Sequence, residues 1–193
     1  LVTLPLVPVS AANLPDGKVL LWSSEDRFNF AADLGRTYTA TFDPTNNAVT
    51  ERLVNETGHD MFCPGTANLA DGRILVNGGL STLKTSIYDP KNGTWTTSGN
   101  MNIARGYEGT GIRSDGSVLT LGGSWSGGVG NKHGELWTKA GTWSRMSGIP
   151  IDPFLSVDDS RDFGMDSHLW LLASGNGRTL HVGPGVQMHW IEK

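Results

Sequence analysis

The sequence predicts an all-β fold made of short strands that recur along the chain. Twenty-six glycines and nine prolines interrupt many short runs in which apolar and polar residues alternate, a pattern typical of strands bounded by turns. Almost no stretch shows the sustained 3.6-residue periodicity of an amphipathic helix. The length of 193 residues is enough to bury about 70% of the unfolded surface, so it permits one stable domain.

The unit that recurs is an Asp-Gly turn followed by an apolar strand. The turns begin at Asp16, Asp71 and Asp115, and a weaker copy begins at Asp166, so successive copies start 55, 44 and 51 residues apart. Glycine pairs and turn-ending tryptophans also recur, at Gly78, Gly79, Gly122, Gly123, Trp95 and Trp143. This period and this order of features are typical of kelch repeats, in which each unit forms a four-stranded blade of a β-propeller.

Most of these repeated residues are expected to be structural. Glycine pairs permit tight backbone geometry, and we expect Trp95 and Trp143 to pack between neighbouring blades. Residues 1–193 contain about three and a half such units, whereas propellers typically close with four to eight blades. The chain is therefore predicted to be the N-terminal portion of a larger propeller, whose remaining blades and any C-terminal domain are supplied elsewhere.

The composition argues against two classes of partner. Fifteen basic and nineteen acidic residues give a net charge of −4, and no basic run is present, so a nucleic-acid partner is not expected. No apolar stretch approaches the ~20 residues that cross a bilayer, so a membrane partner is not expected either. Glycosylation sequons at Asn55 and Asn92 favour a secreted, extracellular protein, although such triplets also arise by chance.

The only cysteine, Cys63, stands in the segment GHDMFCPG at residues 58–65. A single cysteine excludes an internal disulfide and a CxxC motif, and it leaves a buried inert thiol, an intermolecular bridge or a reactive group. Cys63 lies eight residues before Asp71, and Tyr107 lies eight residues before Asp115. Because equivalent positions in adjacent blades lie side by side, the repeat predicts that this thiol is near this phenol.

A cysteine beside a tyrosine would by itself favour ordinary packing. The surrounding residues therefore decide between ordinary packing and a functional site. Tyr107 lies in the segment ARGYEG, and Trp125 follows in GGSWSGG, a loop too rich in glycine to be a core strand. On such a loop, an exposed indole is expected to serve as a lid or a stacking surface rather than to pack in the core. These neighbours favour a functional site.

The motifs HDMFCPG, ARGY and GGSWSGG, in this order and at the spacing of blades, resemble the galactose oxidase group of copper radical oxidases. The resemblance covers residues 4–170 and implies a seven-bladed propeller. It implies a thioether between Cys63 and Tyr107, with Tyr107 as a copper ligand and the seat of a stored radical. Trp125 would stack over the thioether, and Phe30 would line the alcohol pocket. The implied reaction oxidises a primary alcohol (galactose, another sugar or an aryl alcohol) to the aldehyde, while O₂ is reduced to H₂O₂.

The chain departs from the family in its remaining copper ligands. Family members complete the metal site in later blades, with a tyrosine directly followed by a histidine and with another histidine. This chain has no Tyr-His pair. Its histidines match no ligand position of the family, and each is expected to be structural or on the surface: His59, His133, His168, His181 and His189.

A second departure concerns the alcohol pocket, where galactose-oxidising members carry an aromatic residue followed by arginine. Phe163 and Gly164 stand there in this chain, so Phe163 is expected to contact the substrate and the sugar-binding guanidinium is missing. Arg161 could reach the pocket if the loop is reshaped. We therefore expect a weak preference for galactose. The alternative function is a non-catalytic kelch module that binds a protein or a glycan, with Cys63 and Tyr107 merely adjacent.

Overall fold

The computed structural model describes residues 1–30, 32–156 and 164–192. Within them the chain forms four small antiparallel sheets and two short 3₁₀ turns, at Asp152–Phe154 and Gly175–Gly177. The all-β prediction is confirmed. No helix in this part of the chain is long and apolar enough to span a lipid bilayer.

Each sheet is a meander in which consecutive strands are neighbours. The first sheet contains β1 (Ser10–Asn13), β2 (Val19–Trp22), β3 (Thr37–Asp43) and β4 (Ala48–Val54). The second contains β5 (Gly65–Asn68), β6 (Ile74–Asn77), β7 (Thr85–Asp89) and β8 (Thr94–Thr97). The third contains β9 (Gly109–Ile112), β10 (Val118–Leu121), β11 (Glu135–Trp137) and β12 (Trp143–Arg145). The fourth contains β13 (Trp170–Ala173), β14 (Thr179–Val182) and β15 (His189–Ile191).

The first hairpin of the first three sheets closes with the predicted Asp-Gly turn. In each turn the aspartate Oδ1 accepts the backbone N–H of the residue two positions later, at 3.2, 3.1 and 2.9 Å for Asp16, Asp71 and Asp115. The glycines that follow have φ angles of +85°, +90° and +82°, a conformation that side chains with a Cβ rarely adopt. Local chemistry is therefore sufficient to form these turns.

Asp166 lies in a turn that leads into an apolar strand, but this turn is not equivalent to the other three. Asp166 precedes β13, and the turn between β13 and β14 contains Asn176 and Gly177 instead. Ser174 N–H donates to Arg178 O at 2.9 Å to close that turn. The sequence was misleading because β13 has the apolar sequence WLLA, whereas the first strands of the second and third sheets are GTAN and GTGI. An apolar first strand therefore resembled the apolar second strand of the other units.

The hydrophobic core lies between adjacent sheets. The indole of Trp95 meets that of Trp22 in the first sheet, with ring centroids 6.5 Å apart and an interplanar angle of 82°. The indole N–H of Trp143 donates to Thr85 Oγ1 of the second sheet at 2.9 Å. Both tryptophans thus pack between sheets, as predicted, and a similar apolar cluster separates the third sheet from the fourth.

The backbones of neighbouring sheets meet at the end where β5, β9 and β13 begin, which we call the inner end. Gly79 N–H donates to Arg105 O at 3.0 Å, and Gly123 N–H donates to Asp166 O at 2.8 Å. A Cβ on Gly79 would lie 2.5 Å from the carbonyl oxygen of Phe62. Only glycine permits this approach, which places the segments before β5, β9 and β13 side by side.

Candidate active site

The inner end brings Cys63, Tyr107 and His168 into one row. Each residue stands two positions before the first strand of its sheet, β5, β9 or β13. Tyr107 N–H donates to Cys63 O at 2.9 Å, and His168 N–H donates to Tyr107 O at 2.8 Å. The structure thus places the cysteine and the tyrosine side by side, as the common eight-residue offset predicts.

The three residues of this row have left-handed backbone conformations. Their φ angles are +54° for Cys63, +59° for Tyr107 and +59° for His168. For residues other than glycine this conformation costs about 1–3 kcal/mol, and it persists only where the surrounding structure imposes it. Here the hydrogen bonds between sheets impose it. Strain repeated at one end of three successive sheets is a mark of a functional site.

The Cys63 thiol and the Tyr107 phenol interact directly. Burial raises the pKa of Cys63 to about 12, a hydrogen bond with Tyr107 partly opposes the shift, and the Glu108 and Asp60 carboxylates add to it. Burial also raises the pKa of Tyr107 well above its usual value, and the contact with Cys63 raises it further. Both groups are therefore neutral at physiological pH. With the side chain of Cys63 only 7% exposed, the thiol is poorly placed for an intermolecular disulfide.

Aromatic side chains connect this pair to the solvent. The Trp125 ring meets the Tyr107 ring at a centroid distance of 4.7 Å and an angle of 70°, so its contact is edge-to-face rather than a parallel stack. Phe62 lies 5.7 Å from Trp125 and stacks on Phe30 at 4.0 Å and 19°. Trp125 is half-buried rather than exposed, whereas Phe30 is 54% exposed. An apolar wall therefore leads from the surface to the phenol.

Gly106 allows the indole to approach the tyrosine. A Cβ on Gly106 would lie 2.9 Å from Cε3 of Trp125 and would collide with Oγ of Ser126. Gly106 N–H also donates to Gly123 O at 3.0 Å, at the beginning of the loop that carries Trp125. The glycine that precedes Tyr107 therefore positions two aromatic side chains at once.

A buried ion pair supports the segment that leads to Tyr107. Arg105 and Glu135 are fully buried, with Arg105 Nη2 3.0 Å from Glu135 Oε2. Glu135 also accepts the backbone N–H groups of Asn102 and Ile103, at 2.7 and 3.0 Å. Arg105 Nη1 donates to Gly122 O at 2.8 Å. No local sequence pattern indicates this pair, because its members are 30 residues apart.

Two further carboxyl groups, those of Glu108 and Asp60, lie near Cys63. Burial raises the pKa of Glu108, the residue after Tyr107, to about 7. Burial also raises the pKa of Asp60 to about 8, and the neighbouring Glu25 carboxylate adds to this shift. Perturbed groups cluster at functional sites more often than elsewhere.

Comparisons with known proteins agree with this geometry. No family model matches the chain. Two galactose oxidases of Gibberella zeae are each 40% identical to it over 192 residues, which is 98% of this chain and 28% of the relative. Over the part that it spans, the chain is a homologue of galactose oxidase. A solved structure titled as a novel fungal alcohol oxidase with catalytic diversity among the AA5 family, in complex with copper, shares 40% identity and a TM-score of 0.91.

The match to that alcohol oxidase covers 100% of this galactose oxidase homologue and 40% of the solved chain. The chain thus spans about 28% of the length of the galactose oxidases and less than half of the solved structure. All four sheets and the inner end lie within the matched region.

His168 lies against Tyr107, a contact that the sequence pattern does not indicate. The histidine is exposed, and its ring centroid lies 4.4 Å from that of Tyr107 at an angle of 46°. This contact was not predicted because the fourth unit was aligned on Asp166 instead of Asn176. His168 lies eight residues before Asn176, the same offset that relates Cys63 to Asp71.

The other four histidines lie away from Tyr107 or are structural. His59 is fully buried and bonded to Ser86 Oγ and Gly78 O, at 2.9 and 2.8 Å. His133 Nδ1 accepts the backbone N–H of Ile151 at 3.0 Å. His181 and His189 face each other, with their Nδ1 atoms 3.3 Å apart. In the described part of the chain, no three His, Cys, Asp or Glu side chains form a group that could hold a metal ion. Phe163 and Arg161 lie outside the described residues.

Proposed function

We propose that this chain is the N-terminal portion of the seven-bladed kelch propeller of a secreted copper radical oxidase. The enzyme would oxidise a primary alcohol, a sugar or an aryl alcohol, to the aldehyde and reduce O₂ to H₂O₂. The observation that carries the proposal is the placement of Cys63 beside Tyr107 at the inner end, where Tyr107 N–H donates to Cys63 O at 2.9 Å and the thiol and the phenol influence each other's pKa. The names of the relatives, galactose oxidase and an alcohol oxidase in complex with copper, support it.

A covalent bond between Cys63 and Tyr107 would turn this contact into a redox group. A thioether forms when the sulfur bonds to the ring carbon ortho to the phenol oxygen, while the S–H bond and the ring C–H bond break. The two hydrogen atoms released amount to a two-electron oxidation, and O₂ would accept them as H₂O₂. Because burial keeps both groups neutral, no buried charge has to form first.

Tyr107 would then store an organic radical. A sulfur substituent lowers the cost of removing one electron from the ring, so the modified tyrosine is oxidised more easily than an ordinary one. The stored radical would take a hydrogen atom from the carbon that bears the alcohol, while the hydroxyl proton passes to a base. One further electron must leave the substrate, and a bound copper ion would accept it. The alcohol would then have lost the two protons and two electrons that separate it from the aldehyde.

The Tyr107 phenol oxygen fits copper as one ligand. Phenolate oxygen is a suitable donor for tetragonal Cu(II), and a bound cation would favour the deprotonated phenol that burial alone opposes. Because the described residues contain no metal-binding group of three or more side chains, other parts of the protein would supply the remaining ligands. Bound copper would supply the second one-electron redox centre of a two-electron oxidation.

The aromatic wall gives the alcohol a binding surface and protects the radical. Trp125, which meets the Tyr107 ring at an angle of 70°, would keep water from that ring, and Phe30 and Phe62 would receive the apolar part of the substrate. Phe163 remains a predicted member of this pocket. Gly164 lacks the guanidinium that would bind sugar hydroxyls, so we expect the rate on benzyl alcohol to match or exceed the rate on galactose. A large preference for galactose would contradict this specificity.

Exposed apolar side chains on the outermost sheets support the proposal of further blades. Trp170, Leu172 and Trp190 of the fourth sheet are 66%, 52% and 49% exposed. On the first sheet, Tyr38 and Phe42 pack only in part against the cluster around Leu21. The remaining blades of the protein would cover these faces, since apolar patches of this kind mark interaction sites.

Peptide mass spectrometry of the copper-loaded protein tests the proposal. The peptides that carry Cys63 and Tyr107 should remain joined after reduction, with a mass two hydrogens below their sum. Cys63→Gly should lose both the cross-link and alcohol oxidation, and it also suits the backbone because φ is +54° at this position. A free thiol beside an unmodified tyrosine in copper-loaded protein would favour the alternative, a non-catalytic kelch module.

A further inference from the structure

The loop that carries Trp125 needs an external constraint to hold its shape. It runs from Ser124 to Lys132 and contains three glycines with positive φ, Gly127, Gly128 and Gly130, at +71°, +87° and +79°. Glycine has the largest conformational freedom of any residue. Without tethers, such a loop would present the indole in many orientations.

The ammonium group of Lys132 tethers this loop. The side chain is only 2% exposed, and its ammonium group has three N–H donors. Nζ donates to Ser126 O at 3.1 Å and to Gly127 O at 3.0 Å, both directly after Trp125 in the chain. Nζ also donates to Ala104 O, three residues before Tyr107. One cation thus joins the tryptophan loop to the tyrosine segment.

Burial of this ammonium group is unfavourable by itself. Desolvation lowers the pKa of Lys132, and repulsion by Arg105 lowers it further, whereas Asp166 and Glu108 oppose the shift. The three carbonyl bonds offset the desolvation because bonds to a charged donor are stronger than neutral ones. An apolar side chain here would leave three carbonyl groups without this donor, so the lysine is specifically suited to hold the loop.

The loop has room to move if the tether is lost. A cavity of about 550 Å³ adjoins it, lined by Gly127, Gly130 and Lys132 of the loop and by Ile103 and Arg145 on the other side. A loop released by Lys132 could swing into this space, carrying Trp125 away from Tyr107.

We propose that Lys132 is a positioning residue that clamps the Trp125 loop over Tyr107 and so keeps the indole in contact with the phenol ring. The consequence for a stored radical rests on the proposed oxidase function. The clamp itself does not, because it concerns only the loop, Ala104 and the lysine.

Hydrogen exchange of the intact protein tests the clamp directly. In Lys132→Met, the amides of residues 124–131 should exchange roughly tenfold faster or more, because three charge-assisted hydrogen bonds are lost. The matched control is Arg113→Met, which removes another buried cation, one that donates to Gly177 O at 3.1 Å. This control should leave exchange in residues 124–131 unchanged. If Lys132→Met does not fold, Lys132→Gln, which retains a shorter amide donor, should give a smaller increase. Unchanged exchange of the loop in a folded lysine variant would overturn the clamp.

The lifetime of the tyrosine radical in copper-loaded protein tests the consequence. Lys132→Met should shorten it, and adding Lys132→Met to Trp125→Phe should change it little, because the lysine acts through the indole. Additive effects of the two changes would overturn this route of action. If the wild-type protein forms neither cross-link nor radical, the proposed function fails, whereas the hydrogen-exchange result still decides the clamp.

Discussion

The two ends of the same strands differ in how their carboxyl groups are held. At the turn end, Asp16 and Asp71 are exposed, and hydrogen bonds from Lys18 and Arg73, two residues away, hold the pKa of each below its usual value. At the inner end, burial raises the pKa of Asp60 to about 8 and that of Glu108 to about 7. The turn end is stabilised by local contacts, whereas the inner end depends on neighbouring sheets and accumulates the perturbed groups.

Backbone strain follows the same division. The positive φ angles of the Asp-Gly turns fall on glycines, where they cost little. At the inner end they fall not only on Gly79 and Gly123 but also on Cys63, Tyr107 and His168, where they are unfavourable. Positions that combine strain, burial and perturbed pKa values are the ones expected to serve chemistry.

The largest difference between the two ends should appear when an ion pair is broken at each. Arg105→Met leaves Glu135 as a buried, unpaired charge and should lower the free energy of unfolding by about 3–5 kcal/mol. Arg73→Met breaks the exposed pair with Asp71 and should cost no more than about 1 kcal/mol. Urea denaturation of both variants measures the contrast. Equal losses would mean that the inner end is no more dependent on buried charge than the turns.

The two ends should also respond to pH in opposite directions. The pKa of Asp60 is raised in the folded state, so its contribution to stability is present below about pH 4 and is lost as the pH rises through about 8. The pKa of Asp71 is lowered, so its contribution is present above about pH 4 and is lost as the pH falls. Urea midpoints from pH 4 to 9 should therefore decline less steeply in Asp60→Asn.

Asp71→Asn is the control for this pH series. It should leave the decline between pH 4 and 9 unchanged and weaken only the loss of stability at acidic pH. A wild-type urea midpoint that rises from pH 5 to 8, together with an identical rise in Asp60→Asn, would contradict the assigned shift.

A smaller contrast separates two histidines near the inner end. His59→Ala removes a fully buried ring and leaves its partners Ser86 Oγ and Gly78 O unsatisfied, so it should cost about 1–3 kcal/mol. His168→Ala removes an exposed ring and should change stability by less than about 0.5 kcal/mol. Thermal unfolding compares the two. A loss at His168 as large as that at His59 would show that His168 is structural rather than available to a site.

The local parts of the fold were predictable from the sequence, and the errors have a common cause. The turns at Asp16, Asp71 and Asp115, and the neighbourhood of Cys63 and Tyr107 that follows from their spacing, could be read from the repeat. The fourth turn was misplaced because Asn176 replaces the aspartate and β13 is apolar. His168 was missed for that reason alone.

Other features of the site had no local signal. The edge-to-face contact of Trp125 with Tyr107, the Arg105–Glu135 ion pair and the three carbonyl bonds of Lys132 all join residues from separate segments. Their geometry depends on how closely the third sheet approaches its neighbours, which a strand pattern does not encode.

By itself, the sequence determined the type of fold, the turns of the first three sheets and the pairing of one thiol with one phenol. These follow from short-range hydrogen bonding, glycine conformation and a repeat length. Only the tertiary structure decided which side chains surround that pair, how deeply each carboxyl group is buried and how the tryptophan loop is held. Desolvation and contacts between sheets set those properties, and both exist only once separate segments have packed together.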